Sequence, residues 1–316
     1  MIQLEYGGIA NVIMRNNWED NPILQYKQFT ITQFKSTAFD SNYQCYKVSW
    51  KEWERNGSVF LGNSVHRGIV FKITNKTEMS VLQLLSTRKI PAPAILARMR
   101  CKQDEVMLFE SLLPGVELYG NMENDVWCLA AKALFVIHME FWDAPNREQE
   151  IARQFPANDA IKEKLYRASL HTSHKPLWQC YMREIMKRLE NMPTTLIHGD
   201  MFPTNILIDH NDVRFIDWED SCIFAYAFDI AQLTATIDVR TLQPMCPCPD
   251  KVISTYFEMI KDVVHMDFAE YLLDIQMAQF VEIASNYSPP GCYAEKEYNC
   301  VLENELNRIA AAYYSR

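Results

Sequence analysis

Apolar and polar residues alternate through Phe29–Phe34, Cys45–Trp50 and Gly68–Thr74, with β-branched and aromatic side chains enriched, and this period of two predicts antiparallel strands. The pattern then changes to Met79, Val81, Leu82, Leu84 and Leu85, the spacing of a short helix over Thr77–Arg88, which Pro91 and Pro93 stop. A further strand is predicted at Glu105–Glu110, closed by the turn dipeptide Pro114-Gly115. Beyond it the helical period dominates, over 122–142, 157–190, 226–237, 250–264, 267–286 and 294–314, interrupted by short strands at Ile206–Ile208 and Val213–Ile216. The expected architecture is α+β and bilobal, with a small antiparallel β-rich N-lobe (residues 1–113) and a larger, mainly helical C-lobe (114–316). Ligands commonly bind at such a junction, which places a cleft near residues 109–115.

Composition narrows the setting. The chain of 316 residues is 48% hydrophobic and 22% charged, enough to bury a large core. Its longest apolar segments, Leu129–Val136 and Phe224–Phe228, are broken by Lys132 or followed by Asp229, so no membrane span is expected. The first residues lack the basic flank and apolar run of a secretory signal, and the nine cysteines are odd in number and scattered, which predicts a cytoplasmic protein with free thiols. Cys246-Pro247-Cys248-Pro249 has no partner pair for a zinc site and reads as a rigid loop.

Charge is uneven. Residues 1–113 carry 14 Lys and Arg against 10 Asp and Glu, a balance of +4, and the remainder carries −13 of the total −9. A basic first part suits a polyphosphate; an acidic second part attracts cations and repels nucleic acid.

The most informative segment is His198-Gly199-Asp200-Met201-Phe202-Pro203-Thr204-Asn205-Ile206-Leu207, followed by Ile216-Asp217-Trp218-Glu219-Asp220. Asp200 and Asn205 stand in the spacing Asp-x-x-x-x-Asn of a phosphoryl-transfer loop, with Asp217 on the next apolar strand. A transferring phosphoryl group is surrounded by negative charge, which magnesium neutralises; an Asn carbonyl and an Asp carboxylate are hard oxygen donors suited to that ion. Asn205 and Asp217 are therefore the expected metal ligands. Asp200 is the expected base beside the acceptor hydroxyl. His198 is expected to pack and hydrogen-bond within the loop rather than to do chemistry.

These residues resemble the aminoglycoside phosphotransferase family, related to choline and ethanolamine kinases and more distantly to protein kinases. The family's His-Gly-Asp-Leu-His-x-x-Asn-Ile-Leu is matched by His198–Leu207, its Ile-Asp-Trp-Glu by Ile216–Glu219, and its Tyr-Asp-Leu-Ala by Phe228–Ala231. The resemblance implies a protein-kinase-like fold, ATP or GTP as phosphoryl donor, Mg²⁺ as cofactor, and Asp229 as a brace of the catalytic loop. It also implies that Lys72 reaches the donor's phosphates with Glu78 as its ion-pair partner, and that the backbone of Phe109, Glu110, Ser111 and Leu112 meets the adenine edge. The phosphate-covering turn would lie at Ser36–Asn42, which has no glycine but offers Ser36 and Ser41. The family's Gly-Asp-Pro before its Tyr-Asp-Leu-Ala is replaced here by Ile223-Phe224-Ala225-Tyr226.

For the acceptor, the acidic second part suggests a cationic, hydroxyl-bearing molecule such as an aminoglycoside or amino-sugar antibiotic, met by Glu219, Asp220 and Glu282. A metabolic kinase of choline, ethanolamine, a sugar or an amino alcohol is the alternative, and a chain that binds nucleotide without transfer is another. Trp127, Phe141, Trp142, Trp178, Tyr226 and Tyr287 are candidates for a cation–π cage or, at helical spacing, for the core. Neither a nucleic acid nor a membrane is an expected partner, and the chain is expected to be a monomer or homodimer.

Overall fold

The computed structural model describes residues 30–34, 45–49, 69–100, 105–111, 113–288 and 296–315. They form two compact units, one drawn from residues 1–74 and 93–113, the other from 75–92 and 114–316.

The first unit holds a five-stranded sheet of β1 (Thr30–Phe34), β2 (Cys45–Ser49), β3 (Ile69–Asn75), β4 (Ile95–Arg100) and β5 (Glu105–Ser111), in the order β1-β2-β3-β5-β4. β1 pairs antiparallel with β2 and β2 with β3, as the alternating pattern predicts. β4 is an addition to that prediction. It follows two prolines and opens on the unbroken run Ile95-Leu96-Ala97, where the period is hidden, and its register against β5 shifts between Ile95 and Ala97.

The second unit begins with α1 (Lys76–Thr87), whose Asn75 cap accepts the Glu78 N–H at 3.0 Å. It continues with β6 (Val116–Glu117), α2 (Asn124–Glu140), the short α3 (Ala144–Arg147) and α4 (Gln149–Gln154), then α5 (Asp159–Thr172) and α6 (Pro176–Leu189). The single helix expected over 157–190 is thus two. Pro176 disfavours helical backbone at Lys175, which is extended at φ −119° and ψ 116°, and proline then serves as the first residue of α6.

The remaining elements are β7 (Thr194–Ile197), β8 (Ile206–Asp209), β9 (Asp212–Phe215), β10 (Cys222–Ala225), α7 (Ala227–Ala235), α8 (Pro249–Val264), α9 (Phe268–Asn286) and α10 (Lys296–Tyr314). β7 pairs antiparallel with β10, and β8 lies between β6 and β9. Ile223-Phe224-Ala225, where the family pattern is lost, is therefore strand.

The core of this unit is aromatic, with Trp127, Trp178, Trp218, Tyr181, Tyr226, Tyr256 and Tyr271 fully buried. The six aromatics considered for a cation cage lie in it and are all buried. Trp142 packs on Tyr226 and Trp178 on Tyr287, each pair with centroids 5.4 Å apart, so these rings serve packing.

Candidate active site

β7 delivers the chain directly to His198, and the loop 198–205 returns as β8; the segment 217–220 links β9 to β10. Because β7 pairs with β10 and β8 with β9, each of these two segments crosses from one small sheet to the other, and they do so at the same end of the strands. Asp229 on α7 holds the first loop from beneath, accepting the backbone N–H of His198 at 2.7 Å and of Gly199 at 3.0 Å. It also receives Nε2 of His138 at 3.1 Å, whose Nδ1 meets the Tyr256 hydroxyl at 2.6 Å. Burial pushes the Asp229 carboxyl up, but the hydrogen bond and charge of His138, with help from His198, leave it below the usual carboxylate range. The bracing that the resemblance implied for Asp229 is seen in these bonds.

His198 is fully buried and joins the two loops, as expected of a shaping residue. Its Nε2 donates to the Ile216 carbonyl at 2.9 Å, its Nδ1 accepts the Asp200 N–H at 3.3 Å, and its ring packs on Trp218 with centroids 4.5 Å apart. Gly199 is required by geometry. Its φ is +82°, and a Cβ there would stand 2.2 Å from the Asp220 carbonyl oxygen.

Asn205 ends a 3₁₀ turn at Pro203–Asn205, and its side-chain amide donates to the Asp200 carbonyl at 2.9 Å and to Oδ2 of Asp200 at 2.8 Å. That engagement leaves the Asn205 side-chain oxygen as the atom able to ligate a cation. The Asn205 carbonyl also accepts the Ile216 N–H at 3.0 Å, next to Asp217, whose backbone is left-handed at φ 68°. Asp200 is pushed up to about 7 by burial and then by the charges of Asp217 and Asp220, against the opposing effects of Lys164 and Asn205. Asp200 and Asn205 are thus in direct contact, and Asp217 lies close enough for its charge to act on Asp200.

Glu78, Asp217 and Glu219 bring carboxylate oxygens within 4.8 Å of one another. Glu78 is fully buried and accepts the Trp218 N–H at 3.1 Å. The carboxylates of this group are hard oxygen donors, and among the described residues the donor set fits magnesium.

Of the proposed acceptor carboxylates, Glu219 belongs to that group and Asp220 lies within reach of its charge. Burial raises the Asp220 carboxyl, Lys164 opposes, and Asp217 and Glu78 add to the rise. Glu282 is committed elsewhere: it holds the Lys164 ammonium at 2.7 Å and the Asn286 amide at 3.3 Å. Lys164 is the residue sequence reasoning missed. It sits on α5 between Ile161 and Ala168, at the spacing of the buried stripe, and a lysine on an otherwise apolar stripe was the available signal.

In the first unit, Lys72 lies on β3 and Phe109 on β5, their side chains outside the described residues, as are Ser36, Ser41 and Leu112 entirely. Glu110 is buried. Ser111 exchanges bonds with Ala94, its N–H to the Ala94 carbonyl and its Oγ accepting the Ala94 N–H, each at 2.9 Å.

Comparison with known proteins bears on the family and the fold. The model of the phosphotransferase enzyme family matches residues 58–245. Among solved structures, a choline kinase from Cryptosporidium parvum Iowa II is similar at a TM-score of 0.58 and 15% identity, covering 98% of this chain and 96% of its own. A Plasmodium vivax ethanolamine kinase is similar at 0.58 and 14%, covering 96% and 87%. A mutant aminoglycoside 2′-phosphotransferase of type IIIa, in complex with GDP, is similar at 0.58 and 14%, covering 96% and 98%. The shared fold is the protein-kinase-like α+β fold. No curated protein matches the chain at a significant level.

Proposed function

The chain belongs to the phosphotransferase enzyme family, and from that premise we propose that it transfers the γ-phosphoryl group of ATP or GTP to a hydroxyl of a small molecule. The observation that carries this reading is the convergence of Asp200, Asn205 and Asp217. Asp200 orients the acceptor hydroxyl and takes its proton as the oxygen–phosphorus bond forms and the nucleoside diphosphate leaves. Asn205 and Asp217 would hold magnesium, with Glu219 beside them. When bound, that ion supplies charge neutralisation at the phosphates. Asp229 keeps the loop in place, and Lys72 grips the donor's phosphates. The GDP in one of the neighbouring structures supports a nucleoside triphosphate as donor.

The acceptor is a cationic, hydroxyl-bearing molecule of the amino-sugar type, met by Asp220 at a site whose unit is strongly acidic. Choline, ethanolamine or another amino alcohol is the second reading, favoured by the two metabolic kinases among the neighbours. We place the protein in the cytoplasm, as a monomer or homodimer, on its odd number of scattered cysteines.

The test is mass spectrometry of amino-sugar and amino-alcohol panels incubated with the protein and Mg-ATP. An added phosphate on one acceptor, absent with Asp200→Ala, supports transfer. Nucleotide binding by both proteins with no product on any acceptor favours a non-catalytic binder.

A further inference from the structure

α7 is buried from Ala227 to Thr234, so a polar side chain on it must meet partners inside the protein. Gln232, 3% exposed, does so. Its Oε1 accepts the Met201 N–H at 2.7 Å and its Nε2 donates to Oδ1 of Asp200 at 3.4 Å. The backbone N–H of Met201 can only donate, so it fixes which end of the amide carries oxygen, and the amide nitrogen is thereby aimed at Asp200. Asp229 lies three residues earlier, on the same face of the helix. One face of α7 thus braces His198 and Gly199 through a carboxylate, and Asp200 and Met201 through an amide.

The two oxygens of Asp200 are each held by a different amide, Oδ2 by Asn205 at 2.8 Å and Oδ1 by Gln232. A carboxylate offers about four lone-pair sites, so both donors can be satisfied with acceptor capacity left on each oxygen for a substrate hydroxyl. With Asn205 alone, the carboxylate plane could swing about that single bond.

Building on the phosphoryl-transfer reading above, we infer that Gln232 is a positioning residue for the reaction, locking the carboxylate plane of Asp200 so that a fixed oxygen faces the acceptor hydroxyl. It touches neither donor nor acceptor. Its effect is on the probability that the reacting atoms are aligned, and so falls on turnover rather than on binding.

The experiment compares Gln232→Met with Gln279→Met. Gln279 is also buried, and its amide donates to Thr234 Oγ1 at 3.0 Å, away from Asp200. The readouts are kcat and KM for Mg-ATP, with water or the identified acceptor, and amide hydrogen exchange at Met201. Gln232→Met is expected to lower kcat on the order of 10- to 100-fold with KM for ATP changed by less than about twofold. Exchange at Met201 should quicken, and Gln279→Met should alter neither. Gln232→Glu, which keeps an acceptor for Met201 but sets a second carboxyl beside Asp200 in place of the neutral amide donor, should lose kcat while retaining Met201 protection. Equal kcat in wild type and both Gln232 variants, or equal losses at Gln232 and Gln279, would overturn the assignment. A wild type that turns over nothing overturns the proposed function itself, and the assignment falls with it.

Discussion

The Asp229 carboxylate receives the backbone N–H of His198 at 2.7 Å, at a point where both residues are fully buried. The loop 198–205 is therefore anchored to α7 rather than held by its own contacts alone. Asp229→Ala would leave the N–H groups of His198 and Gly199, and Nε2 of His138, without their acceptor. We expect a loss on the order of 3–5 kcal/mol in urea unfolding. Tyr256→Phe, which removes only the hydroxyl on Nδ1 of His138, should cost about 1 kcal/mol.

Gly199→Ala should be as damaging as a charged-pair deletion, although it adds one methyl group. The backbone is at φ +82°, and the new Cβ would lie 2.2 Å from the Asp220 carbonyl oxygen, which is backbone and cannot swing aside. Nucleotide turnover should fall below detection, with thermal unfolding of the purified variant occurring at lower temperature than in the wild type. Alanine at Gly120, where nothing lies within 4 Å although φ is +78°, should cost only about 1 kcal/mol.

Lys164 and Glu282 are coupled across α5 and α9 with little exposure. Lys164→Met alone leaves a buried carboxylate unmatched and should destabilise the protein by about 3 kcal/mol. Adding Glu282→Gln should recover more than half of that loss, and the double-mutant cycle in denaturant unfolding measures the coupling. Independent, additive losses would show that the two charges do not compensate each other.

The pH dependence follows from Asp200. Its carboxyl stands at about 7 in the fold, against an ordinary value of 3.8. Between those values the folded chain holds a proton that the unfolded chain has released, so stability of the metal-free protein falls as pH rises through this window. Asp200→Asn removes the effect. In chelator, the variant should be close to the wild type in stability near pH 4 and more stable by on the order of 2 kcal/mol near pH 8, while failing to transfer phosphate. Magnesium, by compensating the carboxylates, should narrow the gap.

The sequence made the chemistry more legible than the packing. Asp200, Asn205 and Asp217 could be singled out because phosphoryl transfer would fix both residue type and spacing, and the structure places them in one neighbourhood, with His198 and Asp229 bonded to the same loop. β7 and β10 were not, since four-residue buried strands carry too few positions to show a period. The break between α5 and α6 was available in Pro176 but was outweighed by helical spacing on both sides. Glu282 looked like a free acidic group because its partner Lys164 is far away in the chain, and long-range ion pairs leave no local mark. Gln232 was invisible for the same reason, its role depending on where α7 lies against the loop.

The central claim is that Asp200 acts on the acceptor while Asn205 and Asp217 hold the cation. It is tested most directly by single-turnover loss of the labelled γ-phosphoryl group from ATP across a magnesium titration, in wild type, Asp200→Asn, Asn205→Ala and Asp217→Asn. The account predicts that Asp200→Asn keeps wild-type magnesium-dependent nucleotide binding yet releases no phosphoryl group at any magnesium concentration. Asn205→Ala and Asp217→Asn should need at least about tenfold more magnesium. Wild-type turnover by Asp200→Asn, or an unchanged magnesium requirement in both of the other variants, would contradict it.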